Sequence, residues 1–209
     1  MPVVEGREYR NFEMTFTAVE PEEGSDDCII EGYATTFDDP YELWDGYYEV
    51  IDRNALDGAD MSDVIFQLNH EGIVMARLRN ATLALLPDEH GLFTRANLKG
   101  CRQGRDLYEA IKNGLIDRMS WGFIIAEDGY EYDRSTHTST ITKVSKVFDV
   151  SAVSRPANEG TEIHARSYFD GVIEAERQEL AERQELARCI ERDERNRRKS
   201  KFLFETGEM

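Results

Sequence analysis

Cysteine is scarce in this chain. Cys28, Cys101 and Cys189 are odd in number, far apart and form no CxxC pair, which points away from a disulfide framework or a structural zinc site and fits a reducing compartment. Long apolar runs are missing as well. Nothing approaches the roughly 18 consecutive apolar residues that a membrane-spanning helix requires. The opening MPVVEGREYRNFEM is charged where a signal peptide would place its apolar stretch. The expectation is a soluble, intracellular protein that is not secreted and has no membrane partner. Signatures of several enzyme classes are absent too. There is no HExxH and no paired-His spacing, the four His standing 20, 47 and 27 residues apart, so no metal and no cofactor are expected. The lack of a GxSxG elbow and of a Gly-rich phosphate loop argues against an α/β-hydrolase or an NTPase. Positive charge is in short supply: the net charge is -17, and residues 1–166 carry 31 acids against 16 bases. So acidic a body repels phosphate backbones, and nucleic acid is not expected as its partner.

The 209 residues present are enough for one good core and an appendage. Residues 1–166 read as a strand-rich domain. Alternation in Phe12, Met14 and Phe16, and again from Ile29 to Tyr33, predicts a hairpin. GIVMARLR, ATLALLPD and GLFTRANL, separated by polar or Gly turns, predict a three-stranded meander. GRDLYEAIKNGLIDR changes period, with Leu107, Ala110, Ile111 and Leu115 at three- and four-residue steps, and predicts one amphipathic helix. MSWGFII and TITKVSKVFDVSAVS return to strands. Residues 167–209 differ in composition: AERQEL occurs twice in tandem, followed by ERDERNRRKSK. Six-residue copies fall 240° apart on a helix, so Leu180 and Leu186 share no face and no coiled-coil seam is indicated. The segment reads as a charged, solvated helical tail. Its basic cluster at Arg195, Arg197, Arg198, Lys199 and Lys201 is the one place where weak contact with nucleic acid or an acidic partner is anticipated.

Three polar residues stand inside apolar frames: His70 in VIFQLNHEGIVMARL, Ser120 in GLIDRMSWGF and Asp149 in KVFDVSAVSRPANEGT. They are the residue types of a nucleophile, its base and the acid that orients the base. A neutral imidazole at a strand end takes a proton from a hydroxyl near pH 7. Ser120 is a small hydroxyl among bulky apolar neighbours, with Gly122 two residues on as a place for a substrate backbone to approach. Asp149 interrupts an apolar run, and strict alternation puts Val147, Asp149 and Ser151 on one face, with Phe148, Val150 and Ala152 on the other. Glu131, Asp133 and Glu162 compete for the acid's role. His90, His137 and His164 read as turn or exposed residues.

With those frames in view, the chain resembles the prohead maturation proteases of tailed bacteriophages, relatives of the herpesvirus capsid assembly proteases. The likeness runs from about Glu31 to Thr161 through GYATTFD, LNHEGIVMARL, GLIDRMSWGF and FDVSAVSRPANEGT. It implies a serine endopeptidase with Ser120 as nucleophile, His70 as base and Asp149 in the third position, where the phage enzymes commonly carry Glu. It implies Arg155, in the loop after that residue, as an oxyanion candidate. It also implies a mainly β fold with helices (α+β), in the form of a closed antiparallel β-barrel surrounded by a few helices, with the charged tail flexible or removed by self-cleavage. The implied substrates and partners are the major capsid protein with its scaffolding segment and the protease itself, with self-association, inside the procapsid in the host cytoplasm. The contrasting reading is a noncatalytic scaffold or chaperone of capsid assembly.

Overall fold

A computed structural model describes residues 7–44, 46–154 and 188. The domain boundary at 166/167 and nearly all of the expected tail lie outside the described residues. Within them the chain is mainly β: β1 (Glu8–Thr15), β2 (Thr17–Ala18), β3 (Ile29–Thr36), β4 (Tyr41–Trp44), β5 (Tyr47–Ile51), β6 (Ile65–Leu68), β7 (Glu71–Arg77), β8 (Leu83–Pro87), β9 (Gly91–Asn97), α1 (Arg102–Lys112), β10 (Arg118–Ile125), β11 (Tyr130–Asp133), β12 (Thr138–Ile141) and β13 (Val144–Val153).

The strands form three sheets, ordered β1-β10-β13-β6-β7, β11-β12-β5-β4 and β2-β3-β9-β8. None closes on itself, and among the described residues there is one α-helix rather than several. The expected closed antiparallel barrel surrounded by helices is therefore incorrect. Closure needs a continuous ladder in which the last strand finds the first. Here β1 and β7 are opposite edges of the central sheet, and two neighbour pairs, β12 with β5 and β13 with β6, run parallel.

The meander fails for a related reason. A short 3₁₀ turn at Leu78–Asn80 ends with Ala81 in the left-handed region, φ +60°. It sends β8 away from β7 to pair with β9, while β7 folds back on β6. The predicted first hairpin survives only as the two-residue pairing of β2 with β3, because β1 pairs with β10. Alternation predicts a strand but not its partner.

The core gathers on one face of the central sheet. Met119, Trp121 and Phe123 alternate along β10 with no exposed surface, and the Trp121 and Phe123 rings stack at 4.0 Å with 19° between their planes. Phe66, Val150 and Ala152 join them from β6 and β13, as do Ile30, Ile51, Leu92 and Ile141 from the other sheets. At about 1.5–3 kcal/mol for each large apolar side chain removed from water, this cluster holds the three sheets together. Leu107, Tyr108 and Ile111 supply the buried face of α1. Leu115, expected on that stripe, is 75 % exposed. The helix stops at Lys112, and Gly114 takes a φ of +68°, so the 3.6-residue period no longer applies at Leu115.

Candidate active site

The central sheet has a second, polar face. Residues opposite one another in a ladder share a face, so Ser120, Ser151 and Gln67 lie in one row across β10, β13 and β6. Tyr9, Gly122 and Asp149 form the adjoining row. Four strands thus place side chains from distant parts of the sequence within touching range.

His70 enters through a two-residue turn. Asn69 and His70 link β6 to β7 and both have positive φ, +54° and +60°, the conformation of a type I′ hairpin turn. Asn and His are among the few non-Gly residues that adopt this region with any frequency, at a cost of about 1–2 kcal/mol. Four hydrogen bonds maintain it. Asn69 N–H donates to Ala152 O at 2.8 Å. Asn69 Oδ1 accepts from Ser154 N–H at 3.0 Å and from Ser154 Oγ–H at 3.2 Å. Gln67 Nε2 donates to Gly72 O at 3.0 Å, across an irregularity where a single residue of β6 faces Gly72 to Met75 of β7.

Asp149 is aimed by a β-bulge. Gly122 pairs with Asp149, yet Phe123 pairs with Val147, so Phe148 is an extra residue on β13. The bulge breaks the alternation expected from the sequence. Val147 belongs with the core, Phe148 is half-buried, and Asp149 and Ser151 face the polar side. Gly122 also differs from its expected use. An ideal Cβ there would stand 2.6 Å from Asp149 Oδ2 and 3.0 Å from Tyr9 Cε1. Its missing side chain makes room for the carboxylate rather than for a substrate backbone.

The result is a connected chain of hydrogen bonds. His70 Nδ1 bonds to Asp149 Oδ1, and His70 Nε2 lies 2.6 Å from Ser120 Oγ. Ser151 Oγ–H also donates to Asp149 Oδ1, at 3.1 Å. An ionised Asp149 accepts only, so it requires the proton on Nδ1 and leaves the Nε2 lone pair to accept from the Ser120 hydroxyl. Arg7 Nη1 approaches Asp149 Oδ2 at 3.7 Å, and the Tyr9 ring meets the imidazole edge-on with centroids 4.5 Å apart. Ser120, Asp149 and His70 are 0 %, 1 % and 4 % exposed. In so dry a site each hydrogen bond and each charge counts for more than it would in water.

The competing acids lie elsewhere. Glu131 and Asp133 are on β11 of another sheet, and Asp133 is bonded to Ser135, whose hydroxyl and backbone N–H hold its carboxyl below the usual carboxylate range. His90 packs against Tyr33, and His137 against Tyr47. Arg155, Glu162 and His164 lie outside the described residues. Sequence reasoning missed five contributors: Arg7, Tyr9, Gln67, Asn69 and Ser151. Asn69 had a readable signal, since Asn-His-Glu-Gly is turn chemistry between two apolar runs, and Ser151 sits two residues beyond Asp149 on the same strand. Arg7 and Tyr9 had none, because their relevance depends on β1 pairing with β10.

The family model described as Caudovirus prohead serine protease matches residues 14–172. The prohead protease of Enterobacteria phage HK97 is 30% identical over 152 residues, which is 69% of this chain and 62% of that protein. The chain thus spans less than two thirds of that relative's length. No solved structure matches the chain.

Proposed function

Because the chain belongs to the caudovirus prohead serine protease family, we propose that it is a serine endopeptidase of phage procapsid maturation whose catalytic residues are Ser120, His70 and Asp149. The observation that carries this reading is the continuous Asp149–His70–Ser120 hydrogen bonding, with 2.6 Å between imidazole and hydroxyl. A structural serine has no need of an imidazole held in a left-handed turn, and strain of that kind clusters at functional sites.

In the proposed reaction His70 Nε2 takes the Ser120 proton as Oγ attacks the scissile carbonyl carbon. The imidazolium that forms is stabilised by Asp149, which remains ionised. His70 then returns the proton to the leaving amine, giving an acyl-enzyme. Water, deprotonated by His70, releases the new carboxylate and regenerates the hydroxyl. Arg155 takes the oxyanion role in this proposal on the family resemblance alone. Ser120 is fully buried, so a polypeptide reaches it only after the atoms covering it move aside, which makes access a point of control.

The substrates proposed are the scaffolding segment of the major capsid protein and the protease itself, within the assembling procapsid. The relative's description as a prohead protease supports that setting. Coexpression with the capsid protein of the same phage, followed by mass mapping of new termini, tests it. New termini that appear with the wild-type chain and vanish with Ser120→Ala, a change that removes about 10³-fold or more of turnover, are the expected result. An unprocessed capsid protein that still assembles with the chain would favour a noncatalytic scaffold instead.

A further inference from the structure

Strand β1 is an edge of the central sheet, and its two faces do different work. On the core side, Arg10 reaches out of its own sheet to Glu49 of β5. Arg10 Nε lies 2.5 Å from Glu49 Oε1 and Nη2 lies 2.9 Å from Oε2, while Nη1 donates to Glu8 Oε2 at 3.0 Å. Tyr41 donates its hydroxyl to the same Glu49 carboxylate. Glu49 is 0 % exposed and Arg10 5 %. Burial works against the guanidinium charge, but attraction to Glu49, its hydrogen bonds and a smaller contribution from Glu8 raise its pKa further above the usual value. A well-packed apolar pair would hold an edge strand as firmly. A bidentate ion pair adds geometric specificity, because its fork fits in one register.

The polar side of the same strand covers the His–Asp pair. Tyr9 stands across from Gly122 with its ring edge-on to His70. Arg7 lies beside it, with Nη1 3.3 Å from the Tyr9 hydroxyl and 3.7 Å from Asp149 Oδ2. The Arg7 guanidinium carbon sits 3.9 Å from the centroid of the Phe148 ring, the bulged residue that aims Asp149. Arg7 therefore touches the carboxylate, the bulge and the tyrosine that packs on the base. Asp149 Oδ1 is already engaged by His70 and Ser151, and Oδ2 is the oxygen that faces Arg7.

We infer that Arg7 is a positioning residue of the reaction proposed above, acting through Asp149 and not on the substrate, with the Arg10–Glu49 pair fixing the strand that carries it. This inference rests on the serine-nucleophile reading. The groups facing the imidazole are Asp149 from β13, Ser120 from β10 and Tyr9 from β1. Arg7 lies behind Asp149, Glu71 is the exposed neighbour in the chain, and Lys146 is 5.4 Å from the centre of the Phe148 ring. An Arg cation at Oδ2 fixes the carboxylate in rotation and offsets part of its pull on the imidazole proton. With the cation removed, the protonated ring is favoured over a wider pH range, and the base is idle where it now works.

The test follows labelling of Ser120 by a fluorophosphonate in the full chain, by intact mass, from about pH 5 to 9. Arg7→Gln should displace the acid limb of the labelling rate upward by about one unit, since the lost cation is a like charge to the imidazolium and its removal strengthens the hold of Asp149 on the imidazole proton. That is about a tenfold loss on the acid side. Arg7→Lys, which keeps the charge, should restore the limb. A wild-type pH profile in Arg7→Gln overturns the inference, as does an equal fall in both variants with the limb unmoved, since that is the mark of a merely structural residue. Wild-type protein unlabelled at Ser120 at every pH would sink the serine reading itself, a different failure from either of these.

Discussion

Replacing Gly122 with Ala adds one methyl group, and the structure says where it goes. The new Cβ would stand 2.6 Å from Asp149 Oδ2, 3.0 Å from Tyr9 Cε1 and 3.3 Å from Asp149 Cγ, well inside the roughly 3.5 Å at which such atoms rest. Neither neighbour has free space, since Asp149 is 1 % and Tyr9 6 % exposed. Gly122 lies on the inner strand β10 between β1 and β13, so the backbone cannot readily yield. The carboxylate must turn, and turning breaks its bond to His70 Nδ1. Overpacking of this kind costs about 1–3 kcal/mol, offset by about 0.5–1 kcal/mol because Ala suits a strand interior better than Gly. The net loss is about 0–2.5 kcal/mol, which lowers Tm by at most about 10 °C in a domain of this size. Activity should suffer far more. A misdirected acid leaves the imidazole in the wrong tautomer or orientation, worth up to about 10⁴-fold in kcat. The assay pairs thermal unfolding with cleavage of a scaffold-derived peptide in Gly122→Ala, Asp149→Asn and the double variant. Both single changes act through one contact, so their effects on kcat/KM should be strongly non-additive. A Gly122→Ala protein with wild-type turnover, or a double variant whose losses multiply, would refute the claim that the missing side chain makes room for Asp149.

Other perturbations probe different parts of the molecule. Glu49→Gln removes the buried partner of the Arg10 guanidinium and leaves it only Glu8 as countercharge among the described residues, which should destabilise the fold by up to about 3–5 kcal/mol, read by denaturant unfolding. Asn69→Ala loses both the ease of a positive φ and the two bonds from Ser154, for a stability loss of about 1–2 kcal/mol; Asn69→Gly should recover the backbone part, and a calorimetric comparison of the two separates the contributions. Lys99 bonds to Asp27 and Asp26 and holds both carboxyls below their usual range. A depressed carboxylate stabilises the fold above its unfolded-state pKa and loses that contribution as pH falls through its folded-state value. Lys99→Met should therefore be less stable than wild type at pH 7, with the difference shrinking toward zero in acid. Unfolding series at several pH values check the sign.

How far the site could be read beforehand varied by element. The apolar frames around positions 70, 120 and 149 marked strands, because local patterning acts within a few residues, but His70 was read as a strand end, whereas it is the second residue of the Asn69–His70 turn. The three-residue and four-residue spacing of Leu107, Ala110 and Ile111 likewise located α1, though not its end. Gly122 was read for its smallness toward a substrate, whereas the neighbour that needs the space is Asp149. The sidedness of β13 was misjudged at Val147, since one extra residue at Phe148 reverses the register beyond it.

By itself the amino-acid order determined a strand-rich body, one amphipathic helix and three chemically suggestive residues, all consequences of short-range periodicity. Tertiary structure decided which strands are neighbours, and hence everything that depends on adjacency. It left three open sheets in place of a barrel and seated β1 beside β10, with Arg7 and Tyr9 against the base and its acid. Pairing partners are chosen by the joint burial of faces from remote segments, and that free energy is a property of the assembled sheet, which no single window of sequence contains.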